Sequence, residues 1–111
     1  MNSHAVIVRF HYPQGGRTPL VELEMVLEAA IRQAGVGDFD GNDVPANCGD
    51  GYLYFYGPDA DAIFDVVRPI LEEVPFMTGA VARLRYGPAR EGVLERRITL
   101  QEPCLNAAVR A

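Results

Sequence analysis

Residues 37–61 read GDFDGNDVPANCGDGYLYFYGPDAD, and they hold six of the chain's fifteen acidic residues and five of its ten aromatics. The acidic half, with Asp38, Asp40 and Asp43, reads as a turn around a short irregular strand, Phe39 to Val44, weakened by Gly41 and Asn42. Gly49-Asp50-Gly51 then makes a tight connection into a strongly β-forming run, Tyr52 to Tyr56, so the two strands form a hairpin. Alternation in the second strand places Leu53 and Phe55 on one face and Tyr52, Tyr54 and Tyr56 on the other. The aliphatic–aromatic pair belongs to a core, and the tyrosines to a surface where their hydroxyls meet water. Gly57-Pro58 breaks the strand, and Asp59 caps a helix whose first turn gains further favourable charge from Asp61.

Upstream, His4 to Tyr12 (HAVIVRFHY) is a strand with Val6, Val8 and Phe10 facing a core and Ile7, Arg9 and His11 on a mixed face. Pro13-Gln14-Gly15-Gly16 ends it. Thr18 as N-cap and Pro19 in the first turn open a helix. Leu20, Leu23, Leu27, Ala30, Ile31 and Ala34 give it one apolar stripe, and Gly35 and Gly37 stop it.

Downstream of Asp59, the stripe Ile63, Phe64, Val67, Ile70, Leu71 and Val74 predicts a second helix reaching Pro75. Pro69 lies inside that span and predicts a kink near Asp65–Val66. Ala80 to Tyr86 is another strand, with Val81, Arg83 and Arg85 opposite Ala82, Leu84 and Tyr86. Val93 to Leu100 alternates again and returns beside it; from Pro103 onward the tail reads as frayed.

The order predicts one α+β domain spanning residues 1–111, a ferredoxin-like βαββαβ arrangement with an added C-terminal strand and two helices on one face of an antiparallel sheet. The opposite face is then open, and it gathers Arg9, His11, Tyr52, Tyr54, Tyr56, Arg83 and Arg85. Tyrosine and arginine combine large contact area with directed hydrogen bonds, the chemistry of binding surfaces. That face predicts a protein partner, self-association or a merely solvated surface.

Composition narrows the classes. The chain has 49 % hydrophobic residues and a net charge of −5, all ten of its basic Lys/Arg positions being arginine. It is too apolar for disorder, no apolar run reaches membrane-spanning length, and the N-terminus shows no signal-peptide pattern. These predict a soluble cytoplasmic protein in which Cys48 and Cys104 are separate thiols. The acidic balance argues against a nucleic-acid phosphate backbone as partner. Tyr52 to Tyr56 resembles the aromatic strand of RNA-recognition modules, but that motif's basic position is Asp50 here.

Catalytic and metal patterns fail on spacing. Counted from Asp38, a calcium loop would need glycine sixth and glutamate twelfth, where Asp43 and Gly49 stand. His4 and His11 lack ligand-spaced partners, and the only serine is Ser3. No metal, cofactor or catalytic residue is predicted, although a His11–tyrosine–arginine site could in principle serve acid–base chemistry. Gln14-Gly15-Gly16-Arg17 before a helix reads as a turn before it reads as an anion site.

The run DFDGNDV followed by LYFYGPDADAIFDVVRPIL resembles small, functionally unassigned bacterial ferredoxin-like α/β proteins, in which an acidic DGN turn precedes an aromatic strand and a proline-containing helix. The resemblance covers residues 37–71 and implies a fold without a reaction. Small size, acidity and the lack of catalytic motifs predict a non-enzymatic binding protein, in its most concrete form an immunity-type protein that neutralises or regulates another protein. The alternative is a ferredoxin-like enzyme or small-ligand domain using the open face or a dimer interface.

Overall fold

The computed structural model describes residues 3–13, 16–45 and 49–100. Nine-residue β1 (His4–Tyr12) leads into α1 (Thr18–Ala34), then β2 (Asp38–Asp43) and β3 (Gly49–Gly57). α2 (Ala60–Leu71), a 3-10 turn at Pro75–Met77, β4 (Val81–Arg85) and β5 (Glu95–Thr99) complete the described chain. The protein is α+β, with one antiparallel five-stranded sheet in the order β2-β3-β1-β4-β5 and two helices. Cys48, Cys104 and the tail beyond Leu100 lie outside the described residues, as do Gln14 and Gly15.

β1 is central and sets the two faces. Val6, Val8, Phe10 and Tyr12 are all buried, and they join Leu53 and Phe55 of β3, Ala82 and Leu84 of β4, Leu20, Leu23, Leu27 and Ile31 of α1 and Ile63, Phe64, Val67 and Leu71 of α2 in one core. Fully burying side chains of this size contributes about 1.5–3 kcal/mol each. Period-two alternation in three neighbouring strands and the i, i+3, i+4 stripes of two helices therefore converge on the same layer.

Four local expectations need correction. Gly49, Asp50 and Gly51 are strand residues paired with Tyr12, His11 and Phe10, not a hairpin turn. β1 runs on to Tyr12, and its unpaired backbone groups draw β3 back to Gly49. The N-cap slot of α1 holds Arg17, with no side-chain cap bond, and Thr18 is already helical. Arg17 is held outside the helix because its guanidinium donates to the carbonyls of Val44 (3.0 Å) and Pro45 (3.4 Å). α2 ends at Leu71 rather than near Pro75, so Pro69 sits in its last turn and not its middle. There the missing N–H concerns only the carbonyl of Asp65, an exposed residue. The final two strands are also shorter than their apolar runs, at Val81–Arg85 and Glu95–Thr99.

Other expectations hold. Asp59 caps α2, its carboxylate accepting from the N–H groups of Asp61 (3.0 Å) and Ala62 (3.4 Å). Gly35 closes α1 in the left-handed region at φ 67°. β2 is irregular, its register shifting between Phe39 and Asn42.

The turn into β2 passes very close to the end of β3. A Cβ on Gly57 would collide with the carbonyl of Val36, and one on Gly37 with the carbonyl of Tyr56. Two backbones meet where no side chain fits. Gly57→Ala should therefore destabilise the fold by about 1–3 kcal/mol, read as a lower urea midpoint at unchanged slope; an unshifted midpoint would show that the crossing can open freely.

Candidate functional site

The sheet face opposite the core is built row by row from the strand register. Tyr54, Ile7, Arg83 and Arg97 form one row across β3, β1, β4 and β5. Tyr52, Arg9, Val81 and Thr99 form the next, and Tyr56, Ala5, Arg85 and Glu95 the row on the other side. All seven residues singled out from the sequence thus project from one face, with His11 opposite Asp50 at its end.

Their surroundings differ. Ala5 and Ile7 are buried although neither joins the helix-covered core. Each is flanked by a tyrosine and an arginine, and long side chains of this kind cover apolar neighbours with their stems and rings. Tyr52 and Tyr54 stack at 6.2 Å between centroids. Burial, and secondarily the nearby Asp43 carboxylate, raises the Tyr54 phenol above its ordinary value. The exposed edge strand β2 adds Asp38 and Asp43, cross-strand from Tyr56 and Tyr52. One side of the face is accordingly tyrosine with carboxylate, and the other is arginine with Glu95 among it.

Asp50 organises the far end. Its carboxylate accepts from Arg9 Nη2 at 3.2 Å and lies 3.4 Å from His11 Nδ1. The hydrogen bond from Arg9, followed by the one from His11, holds this carboxyl below the ordinary aspartate range. All three side chains are more than half exposed, so the cluster orients Arg9 and His11 more than it stabilises the fold. The hollow beside it, lined by Arg9, Phe10, His11, Asp50, Thr78, Gly79, Ala80 and Val81, contains no tyrosine. Among the described residues the His11 ring meets the Asp50 carboxylate and not a phenol.

A second hollow of about 220 Å³ opens in the middle of the face, lined by Ile7, Arg9, Tyr52, Val81, Arg83 and Arg97. Arg97 was not among the residues selected from the sequence. Its strand alternates charged residues on both sides, so only the pairing of β5 with β4 reveals that it stands directly across from Arg83. Arg85 turns aside, its Nε donating to the Gly87 carbonyl at 2.8 Å.

The remaining candidates have structural roles. His4 Nδ1 accepts the Ala60 N–H at 3.1 Å, so the ring helps to cap α2. Asn42 in the irregular part of β2 donates to Glu24 of α1 at 2.5 Å, tying the strand to that helix. Asp61 accepts the Tyr86 hydroxyl at 2.7 Å and lies 3.7 Å from Arg96, which fastens β5 to the start of α2. Among the described residues, no three His, Cys, Asp or Glu side chains converge as a metal set, and no helix is long and apolar enough to cross a membrane. Compared with protein-family models, with curated proteins and with solved structures, the chain matches none.

The Asp50 cluster gives a signed pH expectation. Its folded pKa is depressed, so its contribution is present above the unfolded value and is lost as pH falls through the folded one. An NMR titration of the Asp50 carboxyl carbon should give a midpoint below the ordinary aspartate value, and Arg9→Ala should move it upward. An identical midpoint in the two proteins would show that Arg9 does not hold this carboxylate in solution.

Proposed function

We propose that the chain is a non-enzymatic protein-binding domain of ferredoxin-like topology that receives its partner on the uncovered sheet face. The topology is supported by the order β2-β3-β1-β4, with one helix following β1 and one following β3; β5 is then an added edge strand. An immunity-type role, neutralising or regulating another protein in the cytoplasm, is the most concrete form of this reading.

The observation that carries it is the chemistry of that face. Three tyrosines and four arginines stand on adjacent strands around a buried Ala5–Ile7 centre. Aromatic and arginine anchors around an apolar middle are what concentrates binding energy at protein interfaces. Its shallow hollows, about 220 Å³ each, suit side chains inserted from a partner better than an enclosed substrate.

Tyr54 and Arg83 are cross-strand from the two sides of Ile7, so replacing both removes the middle of the surface. The Tyr54→Ala/Arg83→Ala protein should lose a partner co-purified with the wild type from the native host. Two anchors at about 2 kcal/mol each would weaken binding by more than about 100-fold. Size-exclusion chromatography of the free proteins separates this from self-association: an unchanged monomer with lost partner supports the reading. A double variant that retains the partner would place the interface elsewhere.

A further inference from the structure

The geometry points to a specific anchor on this face: the hollow between Arg9, Arg83 and Arg97 takes a carboxylate side chain carried next to an apolar or aromatic group on the protein partner. This rests on the uncovered face being the binding surface and names the chemistry it selects.

The charge arrangement carries the argument. Arg83 and Arg97 are directly opposed cross-strand neighbours on one face, a placement in which like charges repel. Arg9 stands one strand over and one row along. The protein supplies little compensation within the hollow. Arg9 is drawn toward Asp50 at its edge, and the Glu95 carboxylate reaches only Arg83 Nε, at 3.7 Å. That Nε is shielded from water and has no hydrogen-bond acceptor, a costly state for a guanidinium donor. Arg97 is exposed and has no ion pair among the described residues. An incoming carboxylate would relieve the repulsion and could accept paired hydrogen bonds from a guanidinium fork.

The walls define the remainder of the ligand. Ile7 and Val81 lie on the same face between the arginines, and the Tyr52 ring closes one side. A bare inorganic anion would leave this apolar surface unused, whereas an aliphatic or aromatic neighbour would cover it. The volume, about 220 Å³, equals roughly seven waters of bulk liquid, which suits one or two side chains and not a whole loop. Arginine's delocalised cation also stacks on aromatic rings, an option that lysine lacks.

The test uses the full-length protein labelled with 15N and two blocked dipeptides, acetyl-Asp-Phe-amide and acetyl-Asn-Phe-amide, which differ in charge at nearly equal shape. The acidic dipeptide should give saturable shifts at Ile7, Tyr52, Val81 and Arg97, with a Kd of roughly 1 mM for a fragment of this size. The amide version should bind at least about tenfold more weakly, and Arg97→Ala should weaken the acidic one by about tenfold. Arg97 is exposed on an edge strand, and an otherwise unchanged spectrum would confirm that the variant is folded. No saturation by the acidic dipeptide, or equal binding of the two dipeptides, would overturn the inference. Inorganic phosphate binding as tightly with the same shifts would also overturn it, as an adventitious ion only. Failure here with partner binding still abolished by Tyr54→Ala/Arg83→Ala would leave the face as the interface and remove only the carboxylate anchor. Failure of both would remove the face.

Discussion

Every face assignment in this protein depends on the register of β1. Bonded along both edges, to β3 and to β4, it fixes which residues of three strands look inward. Val6, Val8, Phe10 and Tyr12 must be buried together, because a slip of one residue would turn Arg9 and His11 into the core. The helices reinforce the choice by packing Leu20, Leu27, Ile63 and Val67 onto that same layer. What remains on the other side is a consequence: Ala5, Ile7, Arg9 and His11 are set among whatever β3 and β4 carry at matching positions. The uncovered surface is thus specified by the same alternation that specifies the core.

Much of this was legible from the sequence. The helix stripes, the Asp59 cap, the Gly35 stop and the two faces of β3 each follow from a local pattern with a physical cause. Asp50 was not legible, because an aspartate between two glycines has the composition of a turn. Only the pairing with a nine-residue β1 makes it part of a strand and brings it beside Arg9 and His11. Arg97 was missed for a related reason. Alternation of Leu94, Arg96, Ile98 and Leu100 against Val93, Glu95, Arg97 and Thr99 puts Arg96, which turns toward Asp61, and Arg97 on opposite faces, but only the pairing of β5 with β4 sets Arg97 across from Arg83. Likewise, no capping pattern announces that His4 accepts the Ala60 N–H from fifty-six residues away. Local periodicity determines which way side chains point, and non-local register determines which of them meet.

Net charge is a poor guide to the surface for the same reason. The chain as a whole is at −5, which suggests a basic partner. On the uncovered face, however, charge is divided: Arg83, Arg85 and Arg97 stand toward β4 and β5 with Glu95 among them, and Asp38, Asp43 and Asp50 stand toward β2 and β3. A partner approaching that face meets arginine on one side and carboxylate on the other. Such segregation favours one docking orientation and disfavours others through like-charge contact.

The principal rival surface is the apolar groove of about 690 Å³ between the two helices, lined by Pro19, Leu23, Val26, Ile70, Val74 and Phe76 among others. Photo-cross-linking in the native host decides between the two most directly, with a benzoylphenylalanine placed at Tyr54 in one protein and at Val26 in another. Binding on the sheet face predicts a single heterologous protein joined through position 54 and none through position 26. Cross-linking through position 26 alone would contradict it and move the function to the helical side.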